Sequence, residues 1–135
     1  MLRARFAPPA GRVHDLREHL REQNALWFGG RFRGRIGWAP AGRGRVRRSI
    51  RLGSWNPHHR LIRIHPVLDS RDVPSYVLAF IVFHEMLHAM DRTETERSGR
   101  RSHHGRRFRE REAEHTDRQR AESWIQENVH DLLSW

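Results

Sequence analysis

The 135-residue chain has no cysteine and no lysine, and no long apolar run. Without cysteine there can be no disulfide framework, no zinc ribbon and no thiol nucleophile, which fits a reducing compartment. Any metal ion must then be held by histidine and carboxylate side chains. The longest apolar stretch, Val77 to Phe83, is far too short to cross a bilayer. Met1 to Arg12 contains arginines and a Pro-Pro pair but no apolar core, so no signal peptide is expected. No membrane association and a cytoplasmic location follow as expectations. The apolar fraction is also low, 36% against 31% charged, which predicts a small core under a heavily solvated surface.

What is abundant is arginine. All 26 basic residues are Arg, set against 16 acids for a net charge of +10. The planar guanidinium suits phosphate and carboxylate, so an Arg-rich surface makes nucleic acid a candidate partner. Complete replacement of lysine by arginine also has the look of a genome-wide codon bias, which says nothing about a binding surface.

The length suits one domain, here residues 1–135. After the break at Pro8 to Gly11, Val13, Leu16 and Leu20 recur at helical spacing and predict an amphipathic helix to about Asn24, ahead of Trp27-Phe28-Gly29-Gly30. Alternation over Arg31 to Pro40 and again over Arg45 to Leu52 predicts two strands, and Leu61 to His65 a third before Pro66. Short connections suggest an antiparallel meander with arginines on its solvent face. Asp69, Ser70 and Asp72 before Val73-Pro74 mark the start of a helix expected to run to about Asp91. Arg92 to Gly105 reads as a polar loop. A charged helical region follows from Arg106, supported by a Glu114–Arg118 pair at i,i+4. The fold class expected is therefore α+β: a small antiparallel three-stranded sheet against a central helix, with an N-terminal amphipathic helix and a C-terminal helical region.

The chemistry concentrates in His84-Glu85-Met86-Leu87-His88, an HExxH run inside that central helix. Four-residue spacing puts both imidazoles on one face, within reach of a single metal ion. Glu85 points aside from the pair and is placed to act on a metal-bound water, as hydrolytic zinc sites require. The apolar residues from Val77 to Phe83 make the helix a buried one, where an unliganded polar cluster carries a desolvation cost. A catalytic zinc needs a third protein ligand. The compact pattern HExxHxxGxxH fails, because Asp91 and Glu94 stand where Gly and His are required. The candidates left are Glu110, Glu112 and Glu114 on the following helix, and His104, with His103 and His115 as competitors.

Taken in order, Asn24, Trp27-Phe28-Gly29-Gly30, Ile36-Gly37-Trp38, Ile50-Arg51-Leu52, HEMLH and His104-Gly105-x-x-Phe108 resemble the SprT-like domain, the family of bacterial SprT proteins and Spartan proteases. The resemblance spans about residues 13–108, with a C-terminal helical region over about 106–135. It implies a minimal zincin-like fold, Zn2+ held by His84, His88 and His104, and Glu85 as the catalytic carboxylate. The cysteine zinc ribbon carried by many SprT-like proteins has no counterpart here.

The function expected is zinc-dependent hydrolysis of peptide bonds by a monomer, through a zinc-bound water activated by Glu85, acting on a protein or peptide substrate that includes DNA-associated proteins. Tyr76, His103 and Arg106 are candidates for oxyanion stabilisation. The rival is a nucleic-acid-binding or interaction module whose zinc site is structural or vestigial; an intact Glu85 speaks against it, since a structural site has no use for that carboxylate.

Overall fold

A computed structural model describes residues 8–40, 50–98 (backbone alone from 92) and 105–133. Its elements are α1 (Leu16–Trp27), β1 (Arg35–Trp38), β2 (Gly53–Asn56), β3 (Leu61–Ile64), α2 (Ser75–Ser98), α3 (Arg106–Ala113) and α4 (Arg118–Leu133). The α+β class expected from the sequence is the one observed. No helix among the described residues is long and apolar enough to cross a membrane.

Helix α1 begins where Asp15 accepts a hydrogen bond from the Arg17 N–H at 3.0 Å. It runs through Trp27, three residues past the expected end, because the stop comes from the glycine pair: Gly29 and Gly30 hold φ of 58° and 74°. Asn24 stays helical, and its side chain brackets the Phe32 backbone, accepting from N–H at 3.0 Å and donating to C=O at 3.3 Å. The chain is thereby turned from α1 into β1. Val13 lies before the helix and is exposed, so the buried face of α1 rests on Leu16, Gln23 and half-buried Leu20.

The sheet corrects the antiparallel meander. Its order is β1-β3-β2, with β1 parallel to β3 and β2 antiparallel to β3. The second strand also falls later than expected, at Gly53–Asn56; most of the Arg45 to Leu52 segment lies outside the described residues. A physical reason for the order is burial: β3 is Leu-Ile-Arg-Ile, with three of its four side chains buried, and it takes the centre where both edges are paired. Register aligns Ile36, Ile62 and Trp55, then Trp38, Ile64 and Gly53, on one face that meets α2. Arg35, Arg63, Ser54 and Asn56 fall on the other face, where arginines were expected.

Helix α2 is the hub. It packs against α1, α3, α4 and the sheet, and Val77, Leu78, Ala79, Phe80, Ile81, Val82, Phe83, Met86 and Leu87 are all buried. It continues to Ser98 rather than ending near Asp91, so the first half of the expected polar loop is helix. No Gly or Pro falls between Pro74 and Gly99, and polar composition alone does not stop a solvated helix. Beyond it, the charged tail divides into α3 and α4. The Glu114–Arg118 pair does not form on a continuous helix: Glu114 caps α3, and Arg118 opens α4 and pairs with Glu122 at 3.3 Å.

Candidate metal centre

His84 and His88 face the same way from α2, with ring centroids 4.8 Å apart and their Nε2 atoms 3.2 Å apart. Two nitrogens on one tetrahedral zinc, each about 2.0–2.1 Å from it, stand about 3.3 Å from each other. The pair therefore has the separation that a shared ion requires. Phe108 of α3 supports both rings from below, its centroid 4.5 Å from that of His88 and 5.3 Å from that of His84. Phe108 is fully buried, which makes it the anchor by which α3 is held under the histidines.

Glu85 lies against the sheet. It is 6% exposed, and a Cβ on Gly53 of β2 would stand 3.0 Å from its Cγ and Oε2. The close approach of α2 to β2 is thus made possible by the missing side chain at Gly53. Burial pushes the Glu85 carboxyl above the ordinary glutamate value, an effect partly offset by the fields of His84 and Arg51. A carboxyl group so placed holds a proton more readily than a solvated one, which suits a group that must take a proton and give it back.

Of the other residues singled out from the sequence, Glu112 does come to the site. Its Oε2 meets Nδ1 of His84, on the edge of the ring opposite the Nε2 that faces His88. That position is not predictable from spacing, since it depends on how α3 folds back on α2. Glu110 instead pairs with Arg106 at 3.0 Å on the exposed side of α3, and Glu114 caps that helix.

His115 is turned away into the core. Its Nδ1 accepts the Asp117 N–H at 3.0 Å, so Nε2 carries the hydrogen and donates to Gln23 Oε1 at 2.8 Å. The ring also stacks on Trp27 at 5.1 Å and meets Phe83 at 4.5 Å. Burial depresses its pKa, with Asp117 acting weakly in the opposite sense. Tyr76 lies in the first turn of α2, about 12 Å along the helix from His84. It lies under the Arg120 guanidinium, 4.1 Å from the ring centroid, and it faces α4. Arg106 is exposed and paired with Glu110. Neither joins the histidine pair.

His103 and His104 lie outside the described residues, which resume at Gly105 just before α3. Among the described residues, no three His, Asp or Glu side chains come together as a metal-holding group. What is present is two convergent imidazoles, a buried carboxyl beside them and a second carboxylate behind one ring.

No family model and no curated protein matches the chain by sequence. In three dimensions it is similar to a solved structure described as the metallopeptidase zymogen of Methanocaldococcus jannaschii jannalysin. The TM-score is 0.60 at 12% identity, over 91% of this chain and 95% of that one. At that identity the likeness is one of fold: this chain has a metallopeptidase-like α+β architecture.

Proposed function

We propose that the protein is a zinc metallopeptidase in which His84, His88 and His104 hold the ion and Glu85 is the catalytic carboxylate. The observation that carries this reading is the 3.2 Å separation of the His84 and His88 Nε2 atoms, set in a fold shared with a metallopeptidase. The donor set also fits zinc chemically. With no cysteine in the chain, two neutral imidazoles on one helical face are its best available ligands. Gly105, the residue after His104, caps the start of α3, whose Phe108 packs on both rings.

When bound, a zinc ion acidifies water and polarises a carbonyl, the two electrophilic contributions that amide hydrolysis needs. The rest falls to the chain. Glu85, held against Gly53 and shielded from solvent, takes the proton of the attacking water and delivers it to the departing amine. Its raised pKa brings that carboxyl closer to working pH, so that both transfers are feasible at one site. Ile81, one turn earlier on α2 and likewise buried, packs beside it at Gly53 and helps to exclude bulk water.

The Arg-rich surface favours substrates associated with nucleic acid. Arg33, Arg35 and Arg60 are exposed at the start of β1 and β3, where the Arg60 guanidinium donates to the Arg33 carbonyl. This same patch is what a non-enzymatic DNA-binding module would need, and it is the specific observation behind that second reading.

Metal analysis separates the two. The peptidase reading expects about one zinc per chain in wild type, loss of that zinc in His84→Ala, His88→Ala and His104→Ala, and casein hydrolysis abolished by a chelator and restored by zinc. A protein that binds DNA with a steep salt dependence but hydrolyses nothing with its zinc in place would establish the module instead.

A further inference from the structure

The contact between Glu112 and His84 has a consequence that depends on which ring nitrogen it uses. A carboxylate offers only lone pairs, so the ring nitrogen that meets it, Nδ1, carries the hydrogen. A neutral imidazole has one such hydrogen, and Nε2 is then left with its lone pair directed toward the His88 Nε2. An imidazole in water prefers the other tautomer, with the hydrogen on Nε2, which cannot ligate a metal through that atom. The geometry points to Glu112 as a positioning residue: its carboxylate fixes His84 in the tautomer whose Nε2 is an electron-pair donor, and so raises the affinity of the site for a metal ion. The part concerning metal affinity rests on the zinc reading given above; the tautomer does not.

Three features of the fold make Glu112 fit this role better than that of a ligand. It meets the far edge of the ring, so it lies behind His84 rather than between the two Nε2 atoms. It is mostly buried, its side chain 15% exposed against 23% for His84, which strengthens a charge-assisted hydrogen bond by removing competing water. And it rides on α3, a helix of eight residues whose one buried residue, Phe108, packs on both imidazoles. Four residues separate Phe108 from Glu112, about one turn, so the same face of α3 supplies the floor under the rings and the carboxylate behind one of them. A short charged helix thereby determines the electronic state of a ligand on a different helix.

The test compares the full-length wild type with Glu112→Gln and Glu112→Ala. In the metal-free proteins, long-range proton–nitrogen correlation of the His84 ring reports the tautomer directly. Wild type is expected to show the hydrogen on Nδ1, Glu112→Gln to retain that state through its amide oxygen, and Glu112→Ala to move toward Nε2–H. Competition with a chromophoric chelator then measures zinc. Glu112→Ala is expected to bind about 10- to 100-fold more weakly than wild type, with a smaller loss in Glu112→Gln. Cobalt-loaded Glu112→Gln should keep the visible spectrum of wild type, because the atoms on the metal are the same.

Hydrogen on Nε2 in wild type, equal zinc affinity in all three proteins, or an altered cobalt spectrum in Glu112→Gln would each overturn the inference. The last outcome would make Glu112 a ligand. Circular dichroism of the metal-free variants shows whether α3 has kept its fold. A wild type that takes up no zinc while its tautomer still depends on Glu112 defeats the peptidase reading and the effect on metal affinity with it, and leaves the tautomer assignment standing.

Discussion

At Gly53 the backbone of β2 comes so near Glu85 that a methyl group would stand 3.0 Å from Cγ and Oε2 and 3.2 Å from Ile81 Cγ2. Gly53→Ala is therefore expected to push the carboxyl out of place, costing about 1–3 kcal/mol by overpacking and lowering kcat while zinc content is unchanged. Steady-state kinetics beside metal analysis would check it, and unaltered kcat would mean that Glu85 is not confined by β2. His115 gives a second test at this scale. Its pKa in the folded chain lies below the ordinary value of 6.5, so its contribution to stability is complete above 6.5. As pH falls through that value the unfolded chain takes up a proton that the folded chain refuses, and stability declines. Urea midpoints at about pH 7.5 and about pH 5.5 should differ more for wild type than for His115→Gln. Individual residues were legible in the sequence only where the relevant geometry is local. The i,i+4 spacing of His84 and His88 fixes their shared face wherever the helix sits. The partners of Glu112 and His115 depend on how α3 and α4 fold back, and nothing in the spacing distinguishes His115 as a core residue from His115 as a ligand.

Among the elements, α3 has Phe108 as its one buried anchor, beside the Glu112 contact with His84, while Arg106, Arg107, Arg109 and Glu110 on the same helix are exposed. Phe108→Ala should cost about 3–5 kcal/mol and loosen the floor under both imidazoles, lowering the melting temperature and weakening zinc binding together. A variant with wild-type zinc affinity would show that α3 does not support the rings. At the other end of α1, Asn24→Ala removes two hydrogen bonds to the Phe32 backbone and leaves that N–H and C=O without a side-chain partner. A loss of about 1–3 kcal/mol in urea unfolding is expected. The helices and β3 could be read from periodicity and breakers because burial writes a regular pattern into them. β2 could not: Gly-Ser-Trp-Asn has no apolar alternation, and it is a strand because β3 needs a second neighbour. The parallel pairing of β1 with β3 is likewise a tertiary choice, set by which strand is most apolar and therefore central. Helix α2 outran its expected end because polar residues were read as a loop, when only Gly99 interrupts the helix-compatible run.

For the molecule as a whole, one apolar cluster joins α1, the sheet, α2, α3 and α4, and the HExxH segment sits where that cluster meets the sheet. The fold class and the place of the motif within it were readable from the sequence, because a buried helix carrying an HE..H group demands both a surrounding core and a compensating partner for its polar atoms. Among the described residues two imidazoles converge, and His104, which lies outside them, is the third ligand proposed. The positive charge belongs to this scale too, and DNA affinity, if the arginine patch guides substrates, should fall steeply with salt. Whether Glu85 serves a zinc-dependent hydrolysis is tested most directly by casein cleavage with zinc-loaded wild type and Glu85→Gln, metal content being determined on the same samples. Equal zinc in both proteins and a rate lower by about 10²- to 10⁴-fold in the variant are expected. Equal rates in the two proteins, or no cleavage by a wild type carrying its full zinc, would contradict that role.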